Sequence, residues 1–188
     1  MITMDDIIRD AHPTLRNVSE KITFPLDDEL KQLAKEMLEF IKNSQDVEIA
    51  EKYDLRPGVG LAAPQLDIPK RMVAVHIPAV EEDKEPLSLV MINPRILSHS
   101  LKQTALPDGE GCLSVDEVYE GYVPRNKRIT VEFYDVDGEK HKKRFKGYEA
   151  IVIQHEIDHI NGILFYDHIN KENPFEIIEN MDIYEEAE

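Results

Sequence analysis

The segment at residues 148–160 constrains the fold of this chain more than any other, because it carries apolar residues almost all round a helix. Its apolar positions include Ala150, Ile151, Val152, Ile153, Ile157 and Ile160. Asn161-Gly162 follows, and this pair is typical of a helix C-terminus with a left-handed residue. A helix that is apolar on all sides is stable only when it is buried. The sequence therefore predicts that other elements surround this helix.

A second helix and several strands are predicted from the spacing of apolar residues. Residues 28–43 carry apolar side chains at helical spacings, with Asp27 or Asp28 available as N-cap. Short apolar segments rich in β-formers predict strands at 72–77, 87–92 and 129–134. Asp137-Gly138 separates the last of these from residues 140–146, which favours a hairpin with a two-residue turn. Residues 173–188 are expected to add a short helix before an acidic end.

The order of these elements indicates the fold class. Strands precede the buried helix without regular βαβ alternation, which predicts an α+β fold with largely antiparallel sheets wrapped around that helix. The 188 residues contain no internal repeat and no Gly/Ser linker. We therefore expect one catalytic domain over residues 1–188.

Composition excludes several classes of protein. Cys112 is the only cysteine, so no intramolecular disulfide can form, which favours a reducing compartment. The first ten residues are acidic where a signal peptide is basic, and no stretch reaches the roughly 18 apolar residues of a membrane span. The 22 Lys+Arg and 38 Asp+Glu give a net charge of -16, which argues against direct nucleic-acid binding. We expect a cytoplasmic protein that binds neither membrane nor nucleic acid.

The buried helix contains a pattern that suits a metal ion. His155 and His159 are four residues apart, so both imidazoles lie on one helix face and can bind one ion. Glu156 stands beside them. A carboxylate in an apolar helix is costly unless something pairs with it, so the pattern favours a metal site over ordinary core packing.

Two histidines leave a divalent ion short of protein ligands. The metzincin extension would place a third histidine at position 165, which is Phe165 and cannot bind a metal. His168 is expected to lie off the helix face, because a glycine break separates it from the helix. Cys112 is the better candidate, because thiolate is a strong metal ligand and Gly109 and Gly111, just before it, allow the backbone to approach a site closely.

Three other interpretations remain open from the residues alone. A zincin-like peptidase would take its third ligand from a later acidic residue: Glu172, Glu176 or Glu179. A cysteine hydrolase would use Cys112 as nucleophile, paired with His155 or His159. A purely structural metal site would need a fourth protein ligand, and none is evident in the sequence.

Three motifs taken together resemble a known family. Residues 58–65 read GVGLAAPQ, residues 110–114 read EGCLS, and residues 154–159 read QHEIDH. In this order they are similar to the signature motifs of the bacterial peptide deformylases, and the chain length resembles the longer, Gram-positive type. The resemblance implies a cytoplasmic hydrolase that removes the N-formyl group from formyl-methionine at the start of new polypeptides and releases formate.

The resemblance also implies a metal site. Cys112, His155 and His159 would bind one divalent ion and leave a fourth position open for water. Fe²⁺ is expected natively, and Ni²⁺, Co²⁺ or Zn²⁺ can substitute for it. Glu156 would take a proton from the attacking water and return it to the leaving amine.

Further roles follow from the same resemblance. The Gln65 side chain and the Leu113 backbone N–H would stabilise the charge that develops on the formyl oxygen. The backbone of Gly60 would pair with the extended peptide substrate. The expected pocket for the methionine side chain consists of Val59, Tyr148, Ile151 and Val152.

The chain departs from the family pattern in two places. Residues 115–121 are acidic where many relatives carry a basic residue. The resemblance therefore does not predict whether this stretch contacts the substrate. The C-terminus is acidic, so an association with the ribosome would not use a basic C-terminal helix.

Arg125 matches a family position, where the residue supports either the site or the fold. We expect a monomer that acts on formyl-methionyl nascent peptides.

Overall fold

The computed structural model describes residues 1–186 and has an α+β fold. Its three α-helices are α1 (Asp28–Gln45), α2 (Val47–Tyr53) and α3 (Gly147–Ile160). Its strands are β1 (Gly60–Ala62), β2 (Met72–Ile77), β3 (Leu87–His99), β4 (Gln103–Ala105), β5 (Arg125–Asn126), β6 (Arg128–Tyr134), β7 (Lys140–Lys146) and β8 (Met181–Ile183). No helix within residues 1–186 has both the length and the apolar character that a bilayer crossing requires.

The strands form two sheets that are largely antiparallel, as predicted. The five-stranded sheet has the order β1-β2-β3-β6-β7, and all its neighbouring strands are antiparallel. The three-stranded sheet has the order β5-β4-β8, in which β4 and β8 are parallel. The sheets are therefore not purely antiparallel.

Strand β3 is longer than the predicted strand at residues 87–92. The prediction ends at Ile92, whereas the strand continues through Asn93-Pro94, a pair that usually interrupts a strand. The register between β3 and β6 shifts between Ile92 and Arg95, so the proline lies in an irregularity of the ladder rather than at a strand end. One long strand can therefore pair with β2 through its first half and with β6 through its second.

Helix α1 forms where the spacing predicts it and covers one face of the five-stranded sheet. The Asp27 carboxylate accepts a hydrogen bond of 2.8 Å from the Leu30 N–H and so caps the helix. Met37, Phe40 and Ile41 are fully buried. Their packing joins α1 to the core that lies under β1 and β2.

Helix α3 forms over the apolar segment and is largely buried. It packs against β1, β2, β5 and β7. Its C-terminus is closed by two backbone hydrogen bonds, from Gly162 N–H to the His159 carbonyl and from Ile163 N–H to the Asp158 carbonyl. These bonds hold the last turn of the helix, which contains Asp158 and His159, against the loop that follows it.

Two local predictions are wrong. The hairpin between β6 and β7 exists, but its loop is longer than two residues. The Asp135 carboxylate accepts from the N–H groups of Asp137 and Glu139, and Gly138 has φ +81°, which fits a three-residue turn better. The described part of residues 173–188 forms no α-helix, because β4 offers a free edge with which Met181–Ile183 pairs as β8. Residues 187 and 188 of that prediction lie outside the described residues.

Candidate metal centre

The structure brings Cys112, His155 and His159 together. One ligand atom from each residue lies within 4.8 Å of the others. The two imidazoles lie one turn apart on α3, with ring centroids 5.1 Å apart. The Cys112 Sγ lies 3.2 Å from Nε2 of His159. One thiol and two imidazoles form a donor set that suits a transition-metal ion such as Fe²⁺ or Zn²⁺.

A buried network of charged side chains holds His155 in place. Oε1 of Glu110 lies 2.9 Å from Nδ1 of His155. Arg125 donates to both carboxylate oxygens of Glu110, at 3.0 and 2.8 Å, and to Asp158 at 2.6 Å. Because the Glu110 carboxylate accepts, Nδ1 of His155 carries the proton and its Nε2 is free to bind a metal. Arg125 therefore supports the site, and Glu110 is a site residue to which the sequence analysis assigned no role.

This network also sets the protonation states. Burial raises the pKa of Glu110, but the charge and hydrogen bonds of Arg125, together with His155, outweigh this and lower it to about 2. Burial lowers the pKa of His155, but hydrogen bonds to Cys112 and Glu110 hold it well above its ordinary value, so a metal ion must displace a proton from Nε2 when it binds there. Arg125 is held charged by Glu110 and Asp158 despite its burial. The negative charge of Glu110 is thus secured at neutral pH.

Glu156 is buried beside this cluster without a hydrogen-bond partner for one of its oxygens. Its exposed fraction is 4%, and Oε1 contacts no donor within residues 1–186. Burial raises its pKa to about 7, although the charge of His155 lowers it in part. Burial and the charge of His155 lower the pKa of His159, which favours the neutral form that a metal ligand needs. A buried carboxylate with a free oxygen can accept a proton from water held in the site.

The position of Glu156 depends on the absence of a side chain at Gly60. A Cβ added to Gly60 would lie 2.5 Å from Oε2 of Glu156 and 2.8 Å from its Cδ. Strand β1 therefore approaches the Glu156 side chain so closely that any Cβ at position 60 would displace it. The resemblance implies only substrate pairing for Gly60, and no local pattern predicts this contact, because it joins residues far apart in the chain.

Gln65 and Leu113 lie at the same cavity. Oε1 of Gln65 accepts a hydrogen bond of 2.9 Å from the Ala62 N–H, which orients the amide group. Its Nε2 then donates to Oγ of Ser114 at 3.1 Å and lies 3.6 Å from the Cys112 Sγ. The amide donor of Gln65 therefore points toward the thiol.

All the candidate residues except the buried His159 line one cavity of about 620 Å³. The cavity contains every residue that the resemblance assigns to substrate binding: Val59, Gly60, Tyr148, Ile151 and Val152. Its wall also includes residues that the sequence analysis did not single out: Gln45, Arg56, Pro57, Pro78 and Leu106. Proline and leucine carry no titratable group and no spacing signal, so only the folded chain identifies them as wall residues.

The acidic stretch at residues 115–121 contacts basic residues of its own chain. Asp116 pairs with Arg56 at 2.8 Å and with Arg9 at 3.7 Å. Arg56 also donates to the Cys112 carbonyl at 3.2 Å. The Asp116 carboxylate thus helps to hold the loop that carries the thiol.

Other candidate ligands lie away from the cluster. His168 bonds to Asp158 at 2.8 Å, and the buried Phe165 ring stacks on His155 with centroids 6.1 Å apart. The acidic residues that a zincin-like peptidase would use are all exposed and outside the cluster: Glu172, Glu176 and Glu179. In the described part of the chain, the Cys–His–His cluster includes no fourth protein ligand, which a purely structural metal site would need.

The fold places a thiol, an imidazole and a free buried carboxylate at one cavity, with a second imidazole buried beside the thiol, and this set is typical of metal-dependent hydrolases. A family model described as polypeptide deformylase matches residues 4–175. The chain therefore belongs to the polypeptide deformylase family, as the three motifs indicate.

Curated relatives and solved structures to which the chain is similar are also peptide deformylases. The chain is 59% identical over 187 residues to a peptide deformylase of Enterococcus faecalis, covering 98% of this chain and 100% of that one. It is 60% identical over 186 residues to one from Ligilactobacillus salivarius, with the same coverage. A crystal structure of Plasmodium falciparum peptide deformylase superposes with a TM-score of 0.70 at 35% identity, covering 89% of this chain and 87% of that one. The two bacterial relatives are Gram-positive, which confirms the resemblance to that type.

Proposed function

We propose that this chain removes the formyl group from N-formyl-methionine at the start of new polypeptides and releases formate. Family membership supports the reaction, since peptide deformylases act on formylated nascent peptides. The observation that carries the proposal is the cluster of Cys112, His155 and His159 with the free carboxylate of Glu156 beside it. These groups match what amide hydrolysis needs, namely a Lewis acid and a base within one cavity.

Cys112, His155 and His159 would hold one divalent metal ion. Fe²⁺ is the proposed native ion, with Ni²⁺, Co²⁺ and Zn²⁺ as substitutes. The bound ion supplies Lewis acidity at the reacting carbonyl and makes water more acidic. Glu110 and Arg125 keep His155 in the tautomer that leaves its Nε2 free.

Glu156 transfers the proton. Its free oxygen accepts a proton from the attacking water as the water oxygen bonds to the formyl carbon. The C–N bond then breaks, and Glu156 passes the proton to the amine nitrogen, which leaves as a free amino terminus. A carboxyl group whose pKa lies near 7 can accept and return a proton near neutral pH.

Gln65 and Leu113 stabilise the negative charge that develops on the formyl oxygen. Nε2 of Gln65 is oriented by the bond between its Oε1 and Ala62 N–H. The backbone N–H of Leu113 follows the thiol directly in the chain. Two fixed donors of this kind lower the barrier because they need no reorientation during the reaction.

Strand β1 binds the peptide in an extended conformation. It is an edge strand of the five-stranded sheet, so the backbone of Gly60 has a side that β2 does not cover. The methionine side chain enters an apolar pocket formed by Val59, Tyr148, Ile151 and Val152.

The proposal extends to the organisation of the molecule. Residues 1–188 would form one catalytic domain in which the two sheets wrap around α3, the helix that carries His155 and His159. The protein would act as a monomer in the bacterial cytoplasm, where formyl-methionyl nascent peptides are made. The C-terminus forms β8 and carries acidic residues, so any association with the ribosome would use another surface.

The test is formate release from a formyl-methionyl peptide, measured with anaerobically purified protein before and after chelation. We expect release that stops with the chelator and returns when Fe²⁺ is added. No release from protein with full Fe²⁺ occupancy would contradict the proposal. Release that survives chelation but is lost on alkylation would favour the cysteine hydrolase instead.

The variant Glu156→Gln isolates the proton-transfer step. We expect kcat to fall by roughly 10²- to 10⁴-fold, the usual contribution of a general base, with unchanged metal content by atomic absorption. Glu172→Gln serves as the matched control, because Glu172 is exposed and outside the cluster. Full activity in Glu156→Gln would assign the base elsewhere.

A further inference from the structure

Strand β7 concentrates positive charge in an acidic chain. Its sequence, Lys-His-Lys-Lys-Arg-Phe-Lys, has five cationic residues and no acid, while the whole chain carries a net charge of -16. The negative charge is therefore distributed over the rest of the molecule. Electrostatic attraction acts over about one Debye length, roughly 8 Å at physiological ionic strength, so the local charge governs contact at β7.

The cations of β7 form a row on one face of an edge strand. β7 ends the five-stranded sheet and pairs only with β6. Since side chains alternate along a strand, one face presents the following exposed residues: Lys140, Lys142, Arg144 and Lys146. Arg128 lies opposite Lys146 on β6 and extends the row. The single acid of β6, Glu132, is bound by Arg95 and Lys140.

Most of this row has no partner in the part of the chain that the structure describes. No ion pair or side-chain hydrogen bond within residues 1–186 involves Lys142, Arg144 or Lys146. A single lysine is enough to protect an edge strand from pairing with another chain. Such protection does not explain several unpaired cations side by side in a chain with 38 acidic residues. The row is therefore available to an external anion.

We propose that the outer face of β7 binds the phosphate backbone of RNA. Alternate residues of a strand are about 6.8 Å apart, so the row from Lys140 to Lys146 extends over about 20 Å and can follow a linear polyanion. A lipid surface fits less well, because Phe145 is the only large apolar residue of β7 and is buried. The row of cations contains no aromatic side chain for stacking on bases, so binding is independent of base sequence.

Strand β7 is adjacent in the chain to the helix that lines the catalytic cavity, which suggests a function for its cationic row. Lys146 directly precedes α3, and Tyr148 of the catalytic cavity follows two residues later. New polypeptides are made on RNA-rich particles, so binding at β7 would hold the enzyme near its substrate. The inference revises the expectation from net charge that nucleic acid is not a direct partner. The surface lies outside the cavity; its use near new polypeptides rests on the proposed function, whereas RNA binding itself does not.

The test compares RNA binding by two matched triple variants. Lys142→Gln/Arg144→Gln/Lys146→Gln removes three charges from the row, and Lys21→Gln/Lys52→Gln/Lys171→Gln removes three exposed charges elsewhere. The probe is a fluorescent uridine homopolymer, titrated by anisotropy over a series of salt concentrations. Vesicles of phosphatidylglycerol serve as the competing polyanion. Hydrolysis of a formyl-methionyl peptide is measured in parallel and is expected to be unchanged in both variants.

The expected result is a loss confined to the β7 variant. We expect it to bind the homopolymer at least tenfold more weakly than the original chain at low salt, with a salt slope lower by about 2 for three lost phosphate contacts. The control variant should retain the original affinity. Failure of the original chain to bind at low salt, equal weakening in the control, or tighter binding to vesicles than to RNA would each overturn the proposal.

Discussion

Two regions of this molecule concentrate charge in opposite ways. Around His155, the charges of Glu110 and Arg125 are buried, that of Asp158 is half-buried, and hydrogen bonds of 2.6 to 3.0 Å join these groups. On β7, the cations are exposed, and most have no partner in the described part of the chain. Burial makes an unpaired charge costly, whereas water screens an exposed one. Charge in the first region should therefore govern stability and catalysis, and charge in the second should govern binding alone.

The largest loss of stability is expected from breaking the buried network. In Glu110→Gln, the Arg125 guanidinium loses a buried carboxylate partner, and we expect the free energy of unfolding to fall by about 3–5 kcal/mol. Urea denaturation of the metal-free protein measures this change. Glu81→Gln is the control, because Glu81 pairs with Lys84 on the surface and its loss should cost at most about 1 kcal/mol. Equal effects of the two substitutions would remove the distinction between buried and exposed charge.

The pH dependence of stability should distinguish two buried carboxyl groups. Folding raises the pKa of Glu156 from 4.5 to about 7, so the folded protein binds more protons than the unfolded chain between these pH values. The metal-free protein should therefore lose up to about 3 kcal/mol relative to Glu156→Gln as the pH rises through this range. Folding lowers the pKa of Glu110 to about 2, so its contribution is lost as the pH falls below 4.5. Parallel pH curves for the original chain and Glu156→Gln would contradict the raised pKa.

A smaller effect is expected from displacing the Glu156 carboxylate without removing its charge. Gly60→Ala places a methyl group 2.5 Å from Oε2, so the side chain must move. We expect kcat to fall by roughly 10²-fold, which is the cost of a misplacement of about 1 Å. Gly111→Ala is the control, because its added Cβ meets no atom within 4 Å although Gly111 lines the same cavity. If both variants lose activity equally, the close approach of Gly60 is not the cause.

The smallest effect on stability is expected at β7. Lys142→Gln/Arg144→Gln/Lys146→Gln removes exposed side chains that make no ion pair within residues 1–186, so the free energy of unfolding should change by no more than about 0.5 kcal/mol. Thermal and urea denaturation of this variant beside Glu110→Gln give the comparison directly. A loss as large as that of Glu110→Gln would show that the row contributes to folding.

Local patterns predicted much of the fold. The apolar spacing identifies α1 and α3 to within two residues at each end, and β2 and β7 have the predicted bounds. The spacing of His155 and His159 on one helix also predicts that their side chains lie close together. Each of these predictions depends on residues within one or two turns or on one strand, where the period of the chain determines which side chains share a face.

Features that depend on distant residues could not be predicted in this way. The contact between Gly60 and Glu156 joins β1 to α3, and the bond between Glu110 and His155 joins a loop to the same helix. No periodicity connects such positions. The strand β8 depends on the free edge of β4, which only the assembled sheet provides. The net charge also did not predict the row of cations on β7, because a sum over the chain carries no information about position.

The single cysteine has a consequence for the lifetime of the enzyme. Cys112 lies at the cavity, and in the described part of the chain it is the one sulfur donor of the cluster. Oxidation to a sulfenic acid cannot be followed by an intramolecular disulfide, because the sequence has no second thiol. Unless a small-molecule thiol intervenes, further oxidation leads to the irreversible sulfinic acid. The working life of a folded molecule would then be set by the oxidants that it meets rather than by its resistance to unfolding.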